Sequence, residues 1–348
     1  MTWLTWRQFR VQAISAAAVM AAFAILLAAT GPHLASLYAA SGISGCKPAS
    51  CGNLAAGFLA QLSTAGTYAV LDLIGVVIIL LTPAVIGLFW GAPLIARELE
   101  TGTAALAWNQ SVTRTRWLAV KLTVYGLAAM AVTEGLSLMQ AWWAAPIGRA
   151  VGQLGSLHFT LPGEFGFVLS RFSPLAFATQ GITPLGYAAF GFALGTAAGV
   201  LIRRTVPAMA VTLAIFAAVQ IAMPLWVRPH LFPAQYTVVS VASLDSLRPD
   251  NIPGHPGAWL LSTQTVTVAG QPVYAAPAAC PAPSLVKGSD SGEGAYLNCL
   301  ASHGIREEFS YQPASRYWAF QATETAIYLA LALALAGYCF LRLNRRRG

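Results

Sequence analysis

Of the 348 residues, 57% are hydrophobic and only 9% are charged, whereas a soluble domain carries roughly a quarter charged side chains. So few charges cannot clothe a water-facing surface of this size, which excludes an ordinary soluble enzyme and places most of the surface in lipid. The net charge of +8 comes from basic residues strewn along the chain rather than gathered on one face. That sets aside a nucleic-acid-binding protein and suits the Lys and Arg excess of cytoplasmic loops.

The chain opens with Trp3, Trp6 and Phe9 at intervals of three, beside Arg7 and Arg10. Two readings stand: a segment lying in the headgroup plane, or an extension of the first helix with an aromatic belt. Six apolar stretches then reach the roughly 20 residues that a bilayer crossing needs. They run from about Ile14 to Thr30, Leu71 to Ile95, Trp117 to Ala145, Ile182 to Ile202, Pro207 to Trp226 and Trp318 to Leu341. The first exceeds the roughly 7 to 15 residues of a signal-peptide core and reads as a retained helix.

Six spans put both ends of the chain on one side. With the N-terminus inside, twelve basic residues are cytoplasmic and close to span ends, among them Arg97, Arg114, Arg116, Lys121, Arg203, Arg204 and the Arg345 to Arg347 tail. Eight lie outside, including Arg149, Arg171, Arg228 and Arg316. This bias predicts that both termini are cytoplasmic, and Arg outnumbering Lys 17 to 3, with heavy use of Ala and Gly, points to a bacterial plasma membrane.

The outer face carries most of the irregular sequence. Gly163 to Ala178 is moderately apolar, is broken by Pro174, and reads as a re-entrant or surface helix. Residues 227–317 are rich in Pro, Gly and Ser, and Thr263 to Val268 alternates as a strand does. The fold class is therefore an all-α polytopic membrane protein with a small, partly β extracytoplasmic domain between the fifth and sixth spans. Residues 1–226 form the membrane domain with its cytoplasmic segment 96–117, residues 227–317 the loop domain, and residues 318–348 the last span and basic tail. Cys46 and Cys51 share one outer loop, and Cys280 and Cys299 share the other, so two disulfides are expected, Cys46–Cys51 and Cys280–Cys299. Cys339 falls in the last span as a free thiol. His303 and Glu307 follow Cys299 at helical spacing, but no second Cys/His cluster completes a zinc ligand set, and no metal is expected.

The densest alternation of acid, base and hydroxyl lies between the second and third spans. Arg97, Glu98 and Glu100 emerge at the end of a helix, Thr101, Gly102 and Thr103 break it, and Thr103 is placed to cap a short amphipathic helix. Ser111 to Arg116, with Arg114, then turns into the third span. Such a knob suits docking to a soluble partner, and a force applied there would move both flanking spans; an ordinary cytoplasmic loop is the plainer alternative. The runs Ala-Arg-Glu-Leu-Glu-Thr-Gly-Thr (96–103) and Ser-Val-Thr-Arg-Thr-Arg-Trp-Leu-Ala-Val-Lys-Leu (111–122) resemble the signature of ABC transporter permeases of the type-2 exporter group, particularly actinobacterial members. The runs Pro184-Leu185-Gly186-Tyr187 and Gly195 to Arg204, followed by Pro207, are similar to the fourth and fifth spans of such proteins. The resemblance implies that Glu98, Glu100 and the helix after Gly102 couple to a nucleotide-binding ATPase subunit. It also implies a second permease subunit, as in a homodimer, and no cofactor in this chain, with ATP and Mg bound by the partner. The long last outer loop departs from many relatives. No Gly-x-x-x-x-Gly-Lys-Ser/Thr loop occurs in these residues, in keeping with a transport subunit that is not itself an enzyme.

Within the membrane, Glu134 lies mid-span, Glu324 in the outer part of the last span and Asp72 at the outer start of the second. A charge at the bilayer centre costs about 3 kcal/mol or more. Glu134 therefore either lines a transport path, with Gln140 and Glu324, or makes a structural hydrogen bond to Ser137 or Gln140 on its own helix, to a neighbouring helix or across the subunit interface. Gly186, Gly191, Gly195 and Gly199 are spaced for close helix approach. The resemblance implies an exporter permease moving a small molecule, peptide or lipid. A membrane-embedded transferase or protease, or a non-transporting sensor or scaffold, is the alternative.

Overall fold

The computed structural model describes residues 2–46, 48–101, 113–154, 157–160, 166–244, 252–280 and 291–344. Six helical segments are long and apolar enough to cross a membrane: Phe9–Ala40, Thr67–Glu100, Thr115–Trp143, Thr183–Ile202, Thr205–His230 and Ala314–Leu343. These are the six anticipated stretches, each in its expected place. Most run past their hydropathic cores because a helix continues through the interface once its backbone bonds are made.

The first helix, α1 (Thr2–Ala40), is continuous from its second residue. The N-terminal residues therefore extend the first span rather than forming a separate interfacial segment. Phe9 is buried, with its ring 4.4 Å from Tyr125 and 5.3 Å from Trp90. It faces the bundle, not the headgroups.

After α1 the Cys46–Cys51 disulfide ties the turn to α2 (Pro48–Ala65). The second span is composite: α3 (Thr67–Ile86), a π-helical turn at Gly87–Gly91, and α4 (Ala92–Glu100). Pro83 and Pro93 flank the wide turn, and each removes a backbone donor that a regular helix would use. The third span is α5 (Arg114–Trp143), followed by the amphipathic α6 (Ala145–Leu154). Leu27, Phe58, Leu62, Leu136, Trp143 and Ile147 join α1, α2, α5 and α6 in one core.

Next comes an antiparallel hairpin, β1 (Leu157–Thr160) with β2 (Gly166–Leu169), and a short helix, α7 (Pro174–Thr179). The expectation of one helix over Gly163 to Ala178 is thereby corrected. Pro174 starts a helix instead of breaking one: it occupies the first turn, where its missing N–H has no partner to lose, and Ser173 caps the Ala176 N–H.

The fourth span, α8 (Thr183–Ile202), is the hub. In its most apolar stretch 78% of residues are buried, against 11–33% in the other spans, and it touches the second, third, fifth and sixth. Glycine makes this possible. A Cβ on Gly191 would lie 2.6 Å from the Pro83 carbonyl oxygen, one on Gly199 2.5 Å from that of Ala92, and one on Gly195 would overlap that of Gly87. Three of the four glycines expected to allow tight packing thus press the backbone of α8 onto the second span around its π turn, while Gly186 faces Thr325 and Tyr328 of the last span.

The fifth span begins as α9 (Thr205–Ala222) and passes through a second π turn at Met223–Val227. The sheet domain follows. Strands β3 (Gln235–Ser240) and β4 (Trp259–Thr267) flank β5 (Ile305–Gln312) in an antiparallel order β3-β5-β4. The alternating run from Thr263 lies in β4, paired to β5. Helix α10 (Ser291–Ser302) packs against the sheet through Leu297 and Leu300, and the Cys280–Cys299 disulfide holds its end. The last span is α11 (Tyr317–Asn344). Phe172, Phe177, Tyr317 and Phe320, with Trp259 and Phe232, cement the sheet domain to the membrane helices.

Candidate functional site

At the end of the bundle where α4 finishes, three spans are pinned together by two carboxylates. Glu98 accepts a hydrogen bond from Lys121 Nζ and pairs with that ammonium group. Lys121 is buried, and its Nζ lies 4.5 Å from the centre of the Trp117 ring. In such surroundings the ammonium needs the carboxylate, so the end of the second span is fixed to the start of the third.

Glu100 reaches in the other direction. Its Oε2 accepts from the Thr205 backbone N–H at 3.1 Å and from the Thr205 hydroxyl at 2.8 Å. The first turn of α9 has orphan donors and a positive dipole end, and no side chain of its own N-cap residue, Arg204, serves them. A carboxylate from a neighbouring span does so instead. It also steadies the two-residue link between α8 and α9, in which Arg203 adopts φ 60°, the only positive φ outside glycine among the described residues.

Arg97 is exposed, and its carbonyl accepts the Thr101 N–H at 3.0 Å and the Thr101 hydroxyl at 2.8 Å. Arg116, Arg203 and Arg204 are exposed at the same end. Thr113 caps α5 through the Arg116 N–H. Gly102, Thr103 and the expected amphipathic helix lie outside the described residues, as does the Arg114 side chain. Sequence reasoning did not place Thr205 or Lys121 among the site residues. A Thr directly before an apolar helix, and a Lys one turn inside a span, were the signals available.

A second polar cluster lies inside the bundle at the opposite end. Glu324, fully buried, accepts from Arg228 Nε at 2.8 Å and Nη2 at 3.0 Å, and from the Tyr187 hydroxyl. The Arg228 guanidinium carbon sits 3.9 Å from the centre of the Phe177 ring, and Tyr328, beside Tyr187, donates to Gln220 at 2.8 Å. Arg228 was expected in the outer loop; it is 1% exposed within the fifth span. That is a correction with a plain cause: the π turn carries the helix past the apolar run, and Glu324 supplies the counter-charge that makes burial tolerable. Next to this cluster, Gln321 accepts from the Ile182 and Thr183 N–H groups and donates to the Phe177 and Gln180 carbonyls.

Glu134 is half-buried on α5, where the Leu185 N–H of α8 donates to it. Ser137 and Gln140 bond elsewhere, to the Thr179 carbonyl and to Asp72, each at 2.8 Å. Glu134, Gln140 and Glu324 thus serve three separate sets of partners. In the sheet domain, Cys280, Cys299 and His303 come together within metal-ligand range. Both sulfurs are committed to the disulfide, which leaves no thiolate to bind a cation while the bond stands.

Six apolar spans around a glycine-packed hub define a multi-pass membrane protein. Residues 17–228 match the sequence profile of the ABC-2 membrane transporter related family, and the chain belongs to that family. The match covers five spans and stops at Arg228, before the sheet domain and the last span. Comparison with curated proteins and with solved structures finds no match.

Proposed function

We propose that this chain is the permease subunit of an ATP-driven exporter, in which the end of the bundle bearing Arg97 and Arg116 receives a separate ATPase subunit. The observation that carries this reading is the double clamp of α4, where Glu98 holds the third span and Glu100 the fifth. A push on α4 is thereby delivered to three spans together, as a motor that hydrolyses ATP elsewhere requires. The exposed Arg97 and Arg116 offer cationic contacts to an acidic groove on the motor. Two copies of the chain, each with an ATPase, would enclose the path, with both termini cytoplasmic and a small molecule, peptide or lipid as cargo.

The test separates docking from transmission. Arg97→Glu with Arg116→Glu leaves the clamp intact and weakens capture of the ATPase by the purified permease by about tenfold or more, as like charges replace complementary ones. Glu100→Gln leaves capture unchanged but lowers cargo-stimulated ATP hydrolysis, because the amide serves the α9 N-terminus less well than a carboxylate. If no protein with a phosphate-binding loop co-purifies, or if both variants couple like the parent, the proposal fails.

A further inference from the structure

Between β5, α10 and the segment Val273 to Pro277 lies a cavity of about 240 Å³. Its walls are Val241, Leu244, Leu300, Ile305 and Tyr296, and one carboxylate, Glu307, shares the wall with them. The position of that carboxylate is unusual for the sheet. Glu307 alternates with Ile305 and Phe309, both buried, so it occupies the core-facing side of β5. Its cross-strand neighbours are Val239 on β3 and Thr265 on β4.

Among the described residues the side-chain partners of Glu307 are hydroxyls: Thr265 donates to its Oε2 at 3.0 Å, and Thr263 donates as well. Neutral donors orient a carboxylate without neutralising it. Arg306 and Glu308 on β5 project to the other face of the sheet. Burial raises the pKa of Glu307 above the ordinary carboxyl range, and the hydroxyls of Thr265 and Thr263 only partly offset it. The site is therefore oriented, partly desolvated and, among the described residues, short of one positive charge.

We infer that the sheet domain binds a small organic amine, its ammonium group on the Glu307 carboxylate and its apolar body against Leu244, Leu300 and Ile305. A charge-assisted hydrogen bond in a partly dry site favours a cation over its neutral isostere, and the apolar walls favour a hydrocarbon body over a hydrated metal ion. The volume lies below the roughly 300 Å³ at which pockets for drug-sized ligands begin, which selects a compact monoamine. Tyr274, 92% exposed, stands at the rim, and Tyr296 lies deeper, so an arriving cation meets aromatic faces first. This site involves no motor and stands apart from the exporter reading.

The test uses the full chain in phosphatidylcholine nanodiscs, with phenethylamine as probe, 2-phenylethanol as its neutral counterpart and empty nanodiscs as the lipid control. Calorimetric titration is expected to show saturable one-site binding of the amine, about tenfold or more tighter than the alcohol. Glu307→Gln abolishes that preference while leaving the weak binding of the alcohol unchanged. Ala276→Phe, on an exposed stretch of the wall, obstructs both ligands and carries the test should the Gln variant not fold. Absence of saturable amine binding, or equal affinity of the Gln variant and the parent, overturns the inference. No ATPase is present in this measurement, so its failure leaves the exporter reading untouched.

Discussion

Among the described residues, the buried pair Arg228–Glu324 is the most demanding contact at the level of single residues. Both side chains are withdrawn from solvent, and the two guanidinium bonds and the Tyr187 hydroxyl together serve the carboxylate. Removing one partner leaves the other charge buried and alone, which destabilises by about 3–5 kcal/mol, whereas replacing both by apolar groups of similar volume can be nearly neutral. Glu324→Leu and Arg228→Met singly should each lower the thermal midpoint of the detergent-solubilised protein sharply. The double substitution should recover much of the loss. A double variant as unstable as the sum of the two singles would show that the charges do not act as a pair. From the sequence Glu324 could be singled out as an intramembrane acid, but its partner could not. An apolar window ends near Trp226, and only the π turn, invisible to such a window, carries Arg228 into the helix.

At the scale of elements, the contact between α8 and the second span decides how closely the hub can sit. Gly195 meets the Gly87 carbonyl and the Ala92 nitrogen, both backbone atoms that cannot swing aside. A methyl group there must part the two helices, and forced separations of this kind cost typically about 1–3 kcal/mol. Gly148, on α6, faces open space: a methyl group added there would meet nothing within 4 Å. Gly148→Ala should therefore leave the thermal midpoint unchanged or raise it slightly, since alanine favours a helix by about 0.5–1 kcal/mol. Gly195→Ala should lower it and shift the protein toward aggregates on size exclusion. Equal behaviour of the two would mean that α8 and the second span do not meet through their backbones. The spacing of the glycines was readable in the sequence, and so was their purpose, but not the span they face. That depends on Gly87 and Gly91, whose own interval of four is lost among the apolar residues of the second span. The stretch from Gly163 to Ala178 was misread for the opposite reason, because a proline that opens a short helix looks, in isolation, like one that breaks a longer helix.

At the scale of the whole molecule, the fifth span links the two polar clusters. Thr205 at its start is held by Glu100, and Arg228 near its other end is held by Glu324. Its 26 residues span about 39 Å at 1.5 Å per residue, so it crosses from one clamp to the other as a single rod. The Cys280–Cys299 disulfide and the sheet lie toward the end bearing Arg228, and the exposed Arg97, Arg116, Arg203 and Arg204 lie at the end bearing Glu100. Disulfides persist in oxidising compartments, and Lys and Arg gather on the cytoplasmic side. Both tendencies support the orientation we propose, with the sheet outside and the Glu100 end inside. A membrane-impermeant maleimide should then label Tyr274→Cys in intact cells, at a residue that is almost fully exposed. It should label Thr101→Cys, exposed at the other end, only after the membrane is permeabilised. The reverse pattern would place the α4 clamp where no ATP-driven motor could reach it, and the transport reading would fall with the orientation.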